Sequence, residues 1–490
     1  MKPENYSVNH SPIVGYIFRN ANIQPDKVAI VSGSARVSYK ELARSILSAA
    51  FFLQSEGLSP SDTIALFAEK ELNFIYLYFA AHLSGITNVI LDPESNPNRI
   101  EYILKTTHPK LIFGAKREES PSKLFADLSF SENPSFALPS GPCQSDTADI
   151  MFTTGTTGLP KGVCLSHKNL FSTVKNINGF ICNSVDDTEV LGLPLCHSFG
   201  LGRLRCVLTA GGTIVLLNSF ANIKLFFDAL HQNQATGFSM VPANWAYIRK
   251  LSGIRIAQFA NQIKYIEIGS AAMLTKDKRE LCNLFPSTRI CMHYGLTEAS
   301  RTTFMEFHEN LDHLETIGRP ASDSIMVKIM DENGCELSHG KTGEICVSGE
   351  SIMSFYYLPK DNEKAFFNSF FRTGDLGYQS EDGRFYLISR IKEILNIGGK
   401  KVSPTEIEDA INSIGALDSI CIGVPDPNGI LGEVPKAFIL AGSPISLEEI
   451  KTKLTGVLEN YKIPVFYEWI DKIPKTASGK KQRLSLRRHD

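Results

Sequence analysis

Apolar residues recur along this chain in two alternating rhythms. Short β-branched or aliphatic runs at 28–31, 64–67, 89–91 and 111–113 read as buried strands, the third closed by Asp92-Pro93. Between them lie stretches with helical spacing. Over 39–54, Leu42, Ile46, Ala49, Ala50 and Leu53 fall on one face, and over 72–83, Ile75, Tyr76, Phe79 and Leu83 do the same. Residues 114–149, with Pro121, Pro134, Pro139 and Pro142 among Ser and Glu, read as a surface connection. The alternation then resumes, with strands at 213–217, 236–241, 264–268 and 289–293 and helices at 221–233 and 274–285. This pattern predicts an α/β fold with stacked, mostly parallel, covered sheets.

From Ser324 the rhythm changes to short strands and tight turns: 325–330, then Asp331-Glu332-Asn333-Gly334, then 343–348. That predicts a small β subdomain. Past Arg390 a further unit is expected, with helices at 405–414 and 447–459, strands at 420–424 and 437–440, and a basic tail. A boundary within 389–393 divides the chain into a large N-terminal domain, 1–389, and a small α+β C-terminal domain, 390–490.

Composition narrows the class without naming a chemistry. A chain of 490 residues, 43% apolar and 21% charged, has room for two or more domains and a sizeable core. Fifty Lys and Arg against 52 Asp and Glu leave a formal charge of -2, which predicts neither a nucleic-acid partner nor a membrane surface. Ten cysteines without CxxC or metal spacing predict reduced thiols in a cytoplasmic protein. The polar start MKPENYSVNHSP has no apolar signal core, and no run reaches transmembrane length.

The chemistry gathers first in Met151 to His167, MFTTGTTGLPKGVCLSH. Thr153, Thr154, Thr156 and Thr157 surround Gly155, and Gly158, Pro160, Lys161 and Gly162 follow. Glycines admit a ligand close to the backbone, hydroxyls add donors, and successive N–H groups make a nest for anions. The stretch does not fit the Walker A spacing. Strands at 149–152 and 162–165 flank it, and Ser166 can cap a following helix, so the loop is expected at the tip of a hairpin.

This segment resembles the phosphate loop of the adenylate-forming superfamily of acyl-CoA synthetases, luciferases and peptide-synthetase adenylation domains. Further stretches fall in the order of that family's motifs, from about Val28 to Arg483. Val37-Ser38-Tyr39-Lys40-Glu41-Leu42 and the stretch 84–93 resemble the earliest; Leu193-Pro194-Leu195-Cys196-His197-Ser198-Phe199-Gly200 resembles an acyl-activating motif. Ile268-Gly269-Ser270-Ala271-Ala272-Met273 and Tyr294-Gly295-Leu296-Thr297-Glu298 follow, then Gly343-Glu344-Ile345-Cys346-Val347-Ser348-Gly349. The Gly-Tyr usual after this last motif reads Phe355-Tyr356 here, and the Pro often found near Met273 is absent. Phe371-Arg372-Thr373-Gly374-Asp375-Leu376-Gly377, Ser389-Arg390-Ile391-Lys392-Glu393, the loop 396–404 with Gly398 and Gly399, and Lys480 in Pro474–Lys480 complete the set.

The resemblance implies an ATP- and Mg²⁺-dependent acid–thiol ligase, closest in character to fatty- or aryl-acid–CoA ligases. A carboxylic acid would become acyl-AMP with release of pyrophosphate, and the acyl group would pass to CoA. A carrier-protein phosphopantetheine is the alternative acceptor; a luciferase-like oxidative enzyme and a catalytically silent homologue are alternatives of other classes. The implied phosphate set is Thr153, Thr154, Gly155, Thr156, Thr157, Gly158 and Lys161, with Thr297 and Lys480 on the α-phosphate. Gly269, Ser270, Ala271, Tyr294 and Gly295 would face adenine, Glu298 would hold Mg²⁺, Asp375 would take the ribose, and Arg390 the ribose or a phosphate. His197 would close the acid tunnel, Lys392 would be the hinge, and Gly398 and Gly399 would line the thiol path. Amino-acid-activating relatives carry an aspartate where Ser198 stands, so fatty or aryl acids are expected. Arg203 and Arg205 are read as a helix's outer face or, alternatively, as groups that meet a second acid on the substrate.

Overall fold

A computed structural model of the chain describes residues 11–115, 121–133, 141–154, 160–220, 222–398, 400–475 and 480–486. The chain divides into two compact units: Met1–Val327 with Val347–Phe371, and Lys328–Cys346 with Arg372–Asp490.

The first unit contains two large sheets, as the alternation predicts. One has nine strands, in the order Arg319–Pro320, Thr303–Glu306, Arg289–Tyr294, Tyr265–Ile268, Gly237–Met240, Thr188–Leu191, Thr213–Leu216, Val28–Ser32 and Ala35–Ser38. The six from Arg289–Tyr294 to Val28–Ser32 are parallel. Covered parallel strands tolerate apolar residues on both faces, hence the β-branched runs. The other sheet has seven strands, in the order Phe355–Tyr356, Pro160–Ser166, Thr147–Thr154, Thr87–Leu91, Thr63–Phe67, Leu111–Phe113 and Ser122–Lys123.

Ser38 caps the helix Tyr39–Ser55 through a reciprocal box with Glu41, and all five residues expected inward are buried. The helix Leu72–Ser84 departs from its expected single face, because every residue from Phe74 to Ser84 is buried. It ends at Gly85, whose φ of 70° supplies the left-handed cap. Two further helices bury apolar stripes, Ile13, Val14, Ile17, Phe18 and Ala21 in one and Ile100, Ile103 and Leu104 in the other. Pro12–Ile23 is anchored by Asn20 and Gln24 amides, which donate to the carbonyls of Leu208, Thr209 and Gly211. Pro97–Thr107 starts on an Asn96 cap. The expected surface connection after 113 is also partly internal: Ser122–Lys123 extends the sheet, and Phe125 is buried.

In the second unit, Ser419–Pro425, Glu433–Leu440 and Phe466–Ile470 form a three-stranded sheet. The helices Pro404–Ser413 and Leu447–Leu454 supply Ile407, Ile411, Ile450 and Leu454 to its core. The second helix stops five residues short of its expected end at 459, at Thr455-Gly456, where glycine and a β-branched residue lower helix propensity. Among the described residues no helix is long and apolar enough to cross a membrane.

Candidate active site

The predicted hairpin is present. Thr147–Thr154 runs antiparallel to Pro160–Ser166, with Thr153 opposite Lys161 and Thr154 opposite Pro160. Gly155, Thr156, Thr157 and Gly158, and the side chain of Thr154, lie outside the described residues. Thr153 is half-buried at the base of the turn. Lys161 Nζ lies 3.3 Å from Asp361 and 4.8 Å from the centre of the Tyr356 ring.

Tyr356 joins this hairpin to the second strong motif. The short strand Phe355–Tyr356 pairs with the hairpin, Tyr356 opposite Val163, and the Tyr356 hydroxyl donates to Glu298 Oε1 at 2.8 Å. In the sequence Phe355-Tyr356 stands only as a departure from Gly-Tyr; in the structure its phenol touches the expected metal ligand. With Oε1 engaged by the phenol, Oε2 of the same nearly buried carboxylate is the oxygen a hard cation would take. The donor set therefore fits Mg²⁺.

Glu298 closes a tight turn after the strand Arg289–Tyr294. Leu296 and Ala299 exchange backbone hydrogen bonds, and the Glu298 carbonyl accepts from Met353 N at 2.8 Å. A Cβ at Gly295 would lie 2.5 Å from Arg301 N and 2.7 Å from the Ala299 carbonyl, so only glycine fits. Tyr294 and Thr297 are half-buried, open enough to meet a ligand.

Gly269 follows the strand Tyr265–Ile268, and the structure adds a second reason for it besides an approaching base. A Cβ there would sit 2.1 Å from the His293 ring. Ser270 holds φ at 72°, a conformation rare outside glycine and enriched at functional turns, and Ala271 beside it is half-buried.

His197 is the N-cap residue of the helix Ser198–Ala210 and is half-buried. Asp92, Cys196 and His197 bring oxygen, sulfur and nitrogen within 4.8 Å of one another. Burial pushes the Cys196 thiol well above its usual range. Lys70 interacts with Cys196; burial pushes its ammonium down to about 7 while it donates to the carbonyls of Gly192, Leu217 and Asn218.

The helix carrying His197 corrects the reading of Arg203 and Arg205. Neither is on an outer face: both are buried. Arg203 Nε lies 3.1 Å from both Glu189 oxygens and 3.3 Å from Glu267 Oε2. Arg205 Nη1 donates to Asp149 Oδ2 at 3.0 Å and to the Tyr78 hydroxyl at 2.8 Å. His82 takes the other Asp149 oxygen at 2.8 Å. Both guanidiniums are thus engaged by the protein's own carboxylates rather than turned toward solvent or a substrate acid. Glu267 also receives Arg301 Nε at 3.1 Å and lies 2.8 Å from His293 Nδ1. Burial alone would raise the Glu267 carboxyl, but Arg301, Arg203 and His293 together hold it below the usual range.

In the second unit the two expected ribose residues come together. Asp375 and Arg390 are cross-strand partners in the antiparallel pair Phe370–Gln379 and Phe385–Arg390. Arg390 Nε meets Asp375 Oδ1 at 2.8 Å, and Asp375 is buried. Lys392 is exposed in the single turn Ile391–Glu393. Gly398 is exposed, holds φ at 56° and donates to the Leu431 carbonyl at 2.8 Å; Gly399 lies outside the described residues. Lys480 is exposed.

Comparisons with known proteins agree with these motifs. A family model described as AMP-binding enzyme matches residues 17–357, and one described as AMP-binding enzyme C-terminal domain matches 406–480. The chain is 27% identical to 2-succinylbenzoate–CoA ligase of Bacillus licheniformis, over 96% of this chain and 98% of the relative. It is also 27% identical to the fatty acid–[acyl-carrier-protein] ligase ScoC of Streptomyces coeruleorubidus, over 96% and 94%. Its fold superimposes on ATP-bound MatB from Rhodopseudomonas palustris with a TM-score of 0.89 at 25% identity, covering 98% of each chain. The chain belongs to the AMP-binding enzyme family of adenylate-forming enzymes.

Proposed function

We propose that this chain joins a fatty or aryl acid to CoA through an acyl-adenylate, with the residues below in the roles given. The observation that carries the reading is the contact series Lys161–Tyr356–Glu298, which brings the phosphate hairpin and the Tyr294–Glu298 turn to one place. A carboxylate is already nucleophilic at neutral pH, so the first step requires alignment and charge stabilisation rather than a general base. Thr153, Thr154, Gly155, Thr156, Thr157, Gly158 and Lys161 hold the β- and γ-phosphates. Thr297 and Lys480 offset the charge that grows on the α-phosphate. Gly269, Ser270, Ala271, Tyr294 and Gly295 receive adenine, and Asp375 with Arg390 receives the ribose hydroxyls. Glu298 would hold Mg²⁺, which would supply positive charge against the phosphates. Tyr356 orients that carboxylate through its hydroxyl.

The second step passes the acyl group to a thiol. Domain 390–490 turns about Lys392, withdrawing Lys480 and bringing the loop of Gly398 and Gly399 to the thiol path. A carrier-protein phosphopantetheine is the alternative acceptor, favoured by the likeness to the carrier-protein ligase. The ten cysteines are all unpaired, which supports a reducing compartment such as the cytoplasm.

His197 opens the helix that borders the acid site, and Arg301 stands behind that helix. Its guanidinium donates to the carbonyls of Ser198 at 3.0 Å and Phe199 at 3.1 Å. Residues 197–206 include no acid, so this helix offers a substrate ammonium no counter-ion, and an unpaired buried charge is costly. ATP–pyrophosphate exchange is therefore expected with fatty or aryl acids and absent with the common amino acids. Robust exchange with any α-amino acid would overturn the substrate class.

The Tyr356 hydroxyl gives a separate test of the metal assignment. Tyr356→Phe removes one hydrogen bond to a charged acceptor, worth about 1.5–3 kcal/mol. The variant should need about tenfold more Mg²⁺ for half-maximal pyrophosphate exchange. An unchanged Mg²⁺ requirement would remove Tyr356 from the site.

A further inference from the structure

The chain on both sides of residues 476–479 is fixed by ion pairs. Lys475 Nζ donates to Asp418 Oδ2 at 2.7 Å, and the backbones of Lys475 and Lys481 form an antiparallel bridge. Lys481 Nζ reaches Glu408 Oε2 at 2.9 Å and Asp418 Oδ1 at 3.1 Å, and also donates to the Ser419 carbonyl. Arg483 forks onto the same Glu408. Its Nε lies 3.1 Å from Oε1, and its Nη2 lies 2.8 Å from Oε1 and 3.0 Å from Oε2. Glu408 sits on the helix Pro404–Ser413, is 2% exposed, and accepts from Cys421 N at 2.8 Å as well.

The remaining arm of Arg483 leads elsewhere. Its Nη1 donates to Glu393, the residue after Lys392 in the turn Ile391–Glu393. One guanidinium therefore links the segment beside Lys480 to the turn beside Lys392. The group sets Lys475, Lys481 and Arg483 against Glu393, Glu408 and Asp418, with Asp409 a further carboxylate that feels Glu408, Lys481 and Arg483. Burying such ions gains little net stability over apolar residues of the same size. What it does provide is geometry, since bidentate Arg–carboxylate pairing fixes orientation as well as distance.

We propose that Glu408 and Arg483 are positioning residues for adenylation, a clamp that holds Lys480 at a fixed place on the C-terminal unit and ties it to the turn of Lys392. Lys480 and that turn then move as one body. Without the clamp the lysine tail still carries its charge but searches for the α-phosphate. The inference rests on Lys480 acting in adenylation.

The test measures the two half-reactions separately on the full chain. Glu408→Gln keeps size and a hydrogen-bond acceptor while removing the charge that Lys481 and Arg483 share. Misplacing a reacting partner by an ångström costs up to about 10²-fold, so pyrophosphate exchange should fall by tenfold or more. Thioester yield from synthetic acyl-AMP should stay at the native level, which general loosening of the fold would not allow. Should Glu408→Gln fail to fold, Glu393→Gln removes only the tether to the turn and should show the same selective loss. Arg483→Lys, which keeps charge but not the fork, should fall between native and Glu408→Gln. Parallel loss of both steps, or no loss in adenylation, overturns the clamp. Lys480→Ala serves as the control. If it adenylates normally, the reading of Lys480 fails and the clamp with it; if it does not, while Glu408→Gln does, the clamp alone fails.

Discussion

Lys480→Ala should adenylate its acid roughly 10²-fold or more slowly than the native chain, a barrier increase of about 3 kcal/mol. The cause is local. The ammonium is the cation proposed for the α-phosphate, where charge would accumulate as the carboxylate attacks. A supplied acyl-AMP has already passed that point, so Lys480→Ala should still convert it to thioester at close to the native rate. Lys392→Pro should show the reverse. Lys392 is exposed in the turn Ile391–Glu393, and proline there fixes φ and removes an N–H. If that traps the adenylating arrangement, the variant makes acyl-AMP and pyrophosphate but fails to pass the acyl group on. Pyrophosphate exchange and thioester yield from synthetic acyl-AMP follow the steps independently. Parallel loss of both steps in both variants would sink the two-state rotation, and a fixed site would replace it.

These expectations were legible because the residues behind them lie in short contiguous segments. The hairpin of Lys161, the turn of Glu298 and the pair Asp375–Arg390 each need only a strand, a turn and a few fixed side chains. Alternating strands and amphipathic helices likewise announce two covered sheets before any contact is known. What stayed hidden depends on partners far apart in the chain. Tyr356 meets Glu298 across 58 positions, and Arg205 meets Asp149 across 56. Charge misled at Arg203 and Arg205, because arginines are rarely fully buried unless paired and their partners lie elsewhere in the chain. The helix Ser198–Ala210 is instead enclosed all round, with every residue from Phe199 to Thr209 buried. Two arginines in such a helix are tolerable only because carboxylates from neighbouring strands meet them.

That dependence predicts the largest stability loss. Arg203 is fully buried, and its guanidinium is shared between Glu189 and Glu267, which are themselves fully buried. Arg203→Met fits the same space but leaves two carboxylates with less compensation. Removing one partner of a buried ion pair costs about 3–5 kcal/mol, because the surviving charge keeps its desolvation penalty. Thermal unfolding should therefore begin at a clearly lower temperature. The pH dependence follows from Glu267, whose carboxyl is held below its ordinary value of 4.5. A carboxyl depressed by folding contributes stability that is full above its unfolded pKa and is lost as pH falls through its folded pKa. Arg203→Met weakens the depression, so acid unfolding should move to higher pH than in the native chain. Combining Arg203→Met with Glu189→Gln removes one of the stranded charges and should recover part of the loss, a coupling that a double-mutant cycle reads directly. If Arg203→Met melts with the native chain and its acid transition does not move, the buried arginine carries no net weight in this core. The sheet would then be held by its apolar packing alone.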